Sequence, residues 1–214
     1  MGPALEVKDL CRGFGSRRAI ENLGFSLGHG EILGLVGPSG AGKTVTLRIL
    51  SGILEGTSGT ASICGISVAS GNRKIYEHFG SVAENHPLPG HLNPFEYLQL
   101  RACLKKVRDG RREATCALQA CGLLRYGKRY RIGQLSHGHR QLVALADAIL
   151  GRPSLLLLDG LEPRQLPAVL GELPIRPAVL VSGRNAAEMA DFCQKTIFLD
   201  RGRVVVDEKR EQRN

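Results

Sequence analysis

The chain has 214 residues, of which 43% are hydrophobic, enough for one domain, or a domain with a subdomain, around a sizeable core. No apolar run approaches the roughly eighteen residues of a membrane span, and the N-terminus has no signal-peptide pattern, so the expected compartment is the cytosol. The formal net charge of +9 is mostly local: between Arg101 and Arg131 ten Lys or Arg stand against Asp109 and Glu113, a balance of +8 that reads either as a solvated helical face or as an attraction for an anionic partner.

In chain order, Ala4 to Leu10 and Ala19 to Leu27 are apolar-rich stretches punctuated by Gly13, Gly15, Gly28 and Gly30, which predicts short strands. The apolar run Ile32 to Val36 follows as a buried strand, then Gly37-Pro38-Ser39-Gly40-Ala41-Gly42-Lys43-Thr44, then a helical pattern from Val45 to Leu54. Strand, glycine-rich loop and helix in that order form a phosphate cradle, so the chain is expected to bind a nucleoside triphosphate. Lys43 brings a cation to the outer phosphates. Thr44 brings a hydroxyl of the kind that ligates Mg2+, which prefers hard oxygens, while Val45 offers no second hydroxyl.

From Pro87 to Gly133 the pattern turns helical: Leu98, Leu100, Cys103 and Leu104 fit one segment, and Ala114, Ala117, Leu118, Cys121 and Leu124 one face of another. A further helix, about Gly138 to Leu150, stops before Gly151 and Pro153. Leu155 to Leu158 then reads as a fully buried parallel strand that delivers Asp159 at its C-terminal end, beside the phosphate loop. Ala178 to Val181 is another buried strand, Asn185 to Cys193 a helix, and Thr196 to Asp200 with Arg203 to Asp207 a hairpin around Arg201-Gly202. The six cysteines form no C-x-x-C pair and read as reduced core residues; His137 and His139 read as loop histidines rather than metal ligands.

The phosphate loop, the segment Leu135-Ser136-His137-Gly138-His139-Arg140-Gln141 and the strand ending in Asp159 together resemble the nucleotide-binding subunits of ABC transporters. Their order and spacing carry the resemblance, which extends to Phe198-Leu199-Asp200-Arg201-Gly202-Arg203-Val204; the His137-for-Gly variant is similar to the export-type and gliding-motility-type branch. The resemblance implies an α/β fold, a P-loop NTPase with a RecA-like core, an N-terminal antiparallel β subdomain and a helical insert. One domain would cover residues 1–214, the core about 1–86 and 134–210, the insert about 87–133.

By resemblance, Phe14 stacks on adenine, with a core Phe as the alternative, and Glu84 stands at the position of a glutamine that approaches Mg2+ and marks the hinge to the insert. Catalytic roles fall to Lys43 and Asp159, and metal ligation to Thr44, Glu84 and Asp159. Contact with ATP falls to Phe14 and to Gly37, Pro38, Ser39, Gly40, Ala41, Gly42, Lys43, Thr44 and Val45. Family subunits dimerise head to tail, so Ser136 and Gly138 would cap the γ-phosphate held by a second ATP-binding subunit. Membrane-spanning subunits are the other implied partners, with the basic insert as the docking region at the inner face of the membrane. A soluble ABC-type ATPase acting on nucleic acid is the competing function. Gly42 and Ser136 lie 94 positions apart, without the long insertion typical of that class, so no nucleic acid partner is expected.

Two departures from the family bear on hydrolysis. A glutamate that polarises water, followed by Pro-Thr-Ser, normally succeeds the aspartate; here Asp159 is followed by Gly160-Leu161-Glu162-Pro163. Either the Glu-Pro-Thr-Ser tetrapeptide is deleted, with Glu162 in a dimer-contact loop, or Gly160 replaces the glutamate; both leave the general base missing. Arg184 aligns with the family's switch histidine, and an arginine does not reproduce its chemistry. Pro167, Pro174 and Pro177 fall where relatives run a helix, so the connection is expected to be short and irregular. Binding with slow hydrolysis is the expectation, with a non-hydrolysing ATP clamp as its alternative and Glu162 as a displaced base the rescue to be tested.

Overall fold

The computed structural model describes residues 2–69, 72–161 and 163–209. Among these residues the strands form two sheets. The first is antiparallel, ordered β2-β1-β4-β5, from β1 (Leu5–Phe14), β2 (Arg17–Leu27), β4 (Ser58–Ile63) and β5 (Ile66–Ser67). The second is ordered β10-β9-β3-β8-β7-β6, from β3 (Ile32–Val36), β6 (Phe79–Val82), β7 (Leu155–Leu158), β8 (Ala178–Gly183), β9 (Lys195–Asp200) and β10 (Arg203–Lys209). Its neighbours are parallel except β9 and β10, a hairpin paired Arg203 to Asp200 across the turn expected at Arg201-Gly202. This is the α/β arrangement of a P-loop NTPase.

Alternation along the parallel strands divides the interior into two cores. Leu155 and Leu157, with Leu33, Leu35 and Leu180, pack toward the antiparallel sheet; Leu156 and Leu158, with Val36, Val179 and Val181, pack toward the helices on the other face. Successive side chains of a strand point to opposite faces, so a strand covered on both sides must be apolar at every position, as all four leucines of β7 are. Burying each contributes about 1.5–3 kcal/mol.

Between β6 and β7 lie α2 (Pro94–Leu104), α3 (Gly110–Ala120) and α4 (His137–Ile149). Asn93 starts α2 with a capping box: its side chain accepts the Glu96 N–H at 2.9 Å, and the Glu96 carboxylate accepts the Asn93 N–H at 3.0 Å. Leu98, Ala102, Ala114 and Leu118 are buried between the helices, but Leu100, Leu104 and Leu124 are exposed, which corrects part of the apolar face read from sequence. Cys121 and Cys193 are core residues as expected; Cys103 and Cys116 are exposed, on the outward sides of α2 and α3.

Other boundaries moved for local reasons. α1 spans Lys43–Leu50 rather than Val45 to Leu54, because the turn at Gly42 makes Lys43 the first helical residue and the chain caps at Ser51. α5 (Leu166–Gly171) is a short helix inside the expected irregular connection: Pro167 sits in its first turn, where a missing N–H costs nothing, and Pro174 and Pro177 follow its end. α6 (Ala186–Ala190) is shorter than expected and starts where Asn185 Oδ1 accepts the Ala187 N–H at 3.0 Å.

Candidate functional site

The C-terminal ends of β3, β6, β7 and β8 open on one side of the sheet, where parallel α/β folds place ligands. A cleft of about 740 Å3 lies there, lined by Phe14, Arg17, Ser39, Gly40, Gly42, Lys43, Thr44, Val45, Glu84, Asp159, Gly160, Ser182 and Arg184 among others. Gly37, Pro38 and Ala41 belong to the loop but not to the cleft wall.

The loop is held by its surroundings. Gly42 has a φ of 107°, and a β-carbon there would lie 2.5 Å from the Ala19 carbonyl oxygen, so only glycine fits both the turn and the close approach to β2. The β9–β10 turn braces the same place: the Gly202 N–H donates to the Ala41 carbonyl at 3.0 Å, and the Glu21 N–H to the Gly202 carbonyl at 2.8 Å. Lys43 Nζ donates to the Gly37 and Pro38 carbonyls at 2.6 and 2.8 Å, curled back along the loop. Burial shifts Lys43 below its ordinary pKa, with Asp159 opposing, Arg184 reinforcing and Glu84 opposing, so Lys43 feels all three across the cleft.

Asp159, only 7% exposed, is fixed at the end of β7. Its N–H donates to the Val82 carbonyl at 2.8 Å, and its Oδ1 accepts the Ser182 hydroxyl at 2.5 Å. Ser182 played no functional part in the sequence reading; its signal was a hydroxyl ending the apolar run Val179 to Val181. One more residue along, Gly160 has a φ of +68°, and a β-carbon there would lie 2.8 Å from Glu84 Cγ and 2.9 Å from Glu84 Cα. The Gly160 carbonyl accepts from Gln141 Nε2 at 3.0 Å. Arg184, just past β8, places Nη2 3.8 Å from Glu84 Oε1, an exposed pair across the cleft mouth. Glu162 lies outside the described residues.

Thr44, Glu84 and Asp159 line the cleft together. A hydroxyl and two carboxylates form a hard oxygen donor set, which fits Mg2+. Among the described residues no group of three or more His, Cys, Asp or Glu is gathered for a metal elsewhere. Phe14, at the end of β1, is 47% exposed on the cleft wall, so it is not a core residue; the Arg12 guanidinium lies 4.7 Å from its ring centroid.

Ser136 and Gly138 are not on the cleft. Ser136 caps α4, its Oγ accepting the His139 N–H at 3.3 Å and lying 2.7 Å from His139 Nδ1, and it is exposed. Behind it, buried Asp147 of α4 gathers the insert: Tyr97 Oη donates to it at 3.0 Å, Arg101 Nε at 2.9 and 3.0 Å, and Lys105 Nζ is 3.0 Å from Oδ1, with His86 Nε2 3.8 Å from Oδ2. Burial drives the Asp147 carboxyl up, but Lys105 and Arg101 outweigh it and hold its pKa below the ordinary value. His86 is lowered by burial, with Asp147 opposing.

The chain and its fold are similar to known proteins. A family model described as ABC transporter matches residues 20–163. The uncharacterized ABC transporter ATP-binding protein YdbJ of Bacillus subtilis (strain 168) is 32% identical over 213 residues, covering 94% of this chain and 68% of its own length. A solved structure described as the ATP binding subunit of an ABC transporter superposes with a TM-score of 0.84 at 28% identity, over 96% of this chain and 90% of the other. The dimeric structure of MJ0796, a bacterial ABC transporter cassette, has a TM-score of 0.82 at 23% identity, over 96% of this chain and 98% of the other, and shows the shared fold.

Proposed function

The chain belongs to the ABC transporter family as an ATP-binding subunit, and from this premise we propose that it holds Mg-ATP at a head-to-tail dimer interface and drives or gates membrane-spanning subunits. The observation that carries this reading is that Phe14, Lys43, Thr44 and Asp159 line one cleft at the ends of the parallel strands. In it Phe14 offers a face to the base, the glycine loop and Lys43 hold the phosphates, and Thr44 and Asp159, with Glu84 on the same wall, stand where a metal would neutralise charge on the outer phosphates. Ser136 and Gly138, exposed or half-exposed at the start of α4, are free to reach the phosphate held by a partner copy or homologue. Among the described residues no helix is long and apolar enough to cross a membrane, which suits a subunit placed peripherally on the cytoplasmic face.

Hydrolysis at this chain's own cleft is slow in this reading. No side chain follows Asp159 where a carboxylate would face the γ-phosphate, and Arg184 stands in place of a histidine. Losses of this kind cost on the order of a hundredfold to a thousandfold each. The turn at Gly160 favours the deleted-tetrapeptide alignment: with a φ of +68° and Glu84 against it, the position is built for glycine rather than emptied of a glutamate. The same observation favours a second reading, a non-hydrolysing ATP clamp.

ATP binding by calorimetry and phosphate release measured separately test both. Micromolar binding with turnover far below one per second supports the proposal, persistent ATP-dependent dimers without phosphate release support the clamp, and failure to bind Mg-ATP overturns both. Mixing with a complete ATP-binding partner should raise ATPase activity above that of the partner alone; no increase in a confirmed mixed dimer removes the transporter-subunit role in an asymmetric pair.

A further inference from the structure

Hydrolysis of a phosphoanhydride needs an acceptor for the proton of the attacking water. Among the described residues the carboxylate at the end of β7 is Asp159, buried and already accepting the Ser182 hydroxyl at 2.5 Å. The neighbouring strand supplies another. β6 and β7 run parallel with Val82 beside Leu158, so two residues past each strand Glu84 comes abreast of Gly160. There the two compete for one space: a β-carbon on residue 160 would lie 2.8, 2.9 and 3.0 Å from Glu84 Cγ, Cα and Cβ. The Glu84 stem therefore fills the volume into which a side chain at 160 would project. Its carboxylate is 3.8 Å from Arg184 Nη2, on the wall of the cleft that also holds Lys43 and Thr44.

We propose that Glu84 is the catalytic carboxylate of this site, the hydrolytic acid having moved from the end of β7 to the end of β6. The inference rests on the ATP site described above. The water oxygen attacks the γ-phosphorus, the bond from that phosphorus to the bridging oxygen breaks with its electron pair left on ADP, and the water proton passes to the Glu84 carboxylate and then to the phosphate released. The Arg184–Glu84 pair is exposed, 77% and 54% by side chain, and pairs of that exposure are weak enough to open when a triphosphate enters. Thr44 and Asp159 remain to hold the metal, since Mg2+ needs only one or two carboxylates beside substrate phosphates and water.

Glu84→Gln decides it, because an amide keeps an oxygen for the metal and the same shape but accepts no proton. The full chain is assayed with Mg-ATP at concentrations raised until the rate per chain no longer climbs. The expected result is slow but measurable phosphate release by the wild type, a loss of about a hundredfold in Glu84→Gln, and ATP and Mg2+ affinities within about twofold by calorimetry. Retained turnover in Glu84→Gln overturns the proposal, as does a loss in Glu162→Ala with Glu84→Gln unaffected. A wild type that binds ATP and releases no phosphate also overturns it while leaving the ATP site standing; a wild type that fails to bind ATP removes the site itself. A Glu84→Gln rate loss matched by weaker Mg2+ binding assigns Glu84 to the metal and overturns its role as base.

Discussion

The two sides of the cleft are built differently. On the side of β3, the loop from Gly37 to Thr44 keeps every residue a phosphate cradle uses and is braced from behind by β2 and by the β9–β10 turn through the Ala41, Glu21 and Gly202 backbone bonds. On the side of β6, β7 and β8, the cleft wall is made of single side chains at separate strand ends, Glu84, Asp159 and Arg184, with Gly160 among them. Holding a phosphate depends on backbone shape, which a rigid frame preserves. Breaking one depends on single side chains, which can be lost or relocated while the frame stays folded.

Substitutions on each side test that division. The largest effect belongs to Lys43→Ala, which removes charge-assisted hydrogen bonds worth about 1.5–3 kcal/mol each and should weaken ATP binding roughly a hundredfold by calorimetry. Binding kept within about threefold would mean that the backbone cradle alone does the holding. Next is Gly160→Ala, which forces a side chain into a left-handed position and against Glu84. It should lower stability by about 2 kcal/mol, a fall in Tm of roughly 4–8 °C. Adding Glu84→Ala should recover a small part of that loss, because the two side chains contend for space through Glu84 Cγ, while the Cα and Cβ that alanine keeps stay in the way. Strict additivity of the two changes would show that they do not. The smallest effect is Phe14→Ala, expected to weaken ATP about three- to tenfold through loss of base stacking while leaving inorganic tripolyphosphate affinity unchanged. Equal weakening of both ligands would move Phe14 from base recognition to support of the loop.

Much of this was legible from residues alone, where local chemistry decides structure. Four leucines closed by Asp159 cannot be half-exposed, and Arg201-Gly202 between two apolar runs is a hairpin turn; both stand where the sequence put them. β4, reading Ser-Gly-Thr-Ala-Ser-Ile, gave no apolar alternation because it is held by pairing to β1 rather than by its own burial. β6 is four residues long with Gly80 and Ser81 in its middle, too short to declare a period. The exposure of Leu100, Leu104 and Leu124 was hidden for a different reason: hydrophobicity marks a helix face without saying whether the chain itself or something else covers it. Within the site, Phe14, Lys43, Thr44 and Asp159 were readable as types in a pattern. The abutment of Glu84 on Gly160 was not, because it follows from the register between strands distant in sequence, and that register appears only in three dimensions.

The Asp147 cluster has a mechanical meaning. Its donors come from α2, its carboxylate from α4, and His86 reaches it from the segment just beyond Glu84. Parting α2 from α4 would strand charge in the interior at a cost of about 3–5 kcal/mol, more than one thermal fluctuation supplies. The insert and α4 should then swing as one stiff lever. A push delivered anywhere on α2 would arrive as a rotation at both of its far ends, Ser136 on one side and the Glu84 strand exit on the other, so that force on the insert and geometry at the phosphate become a single variable.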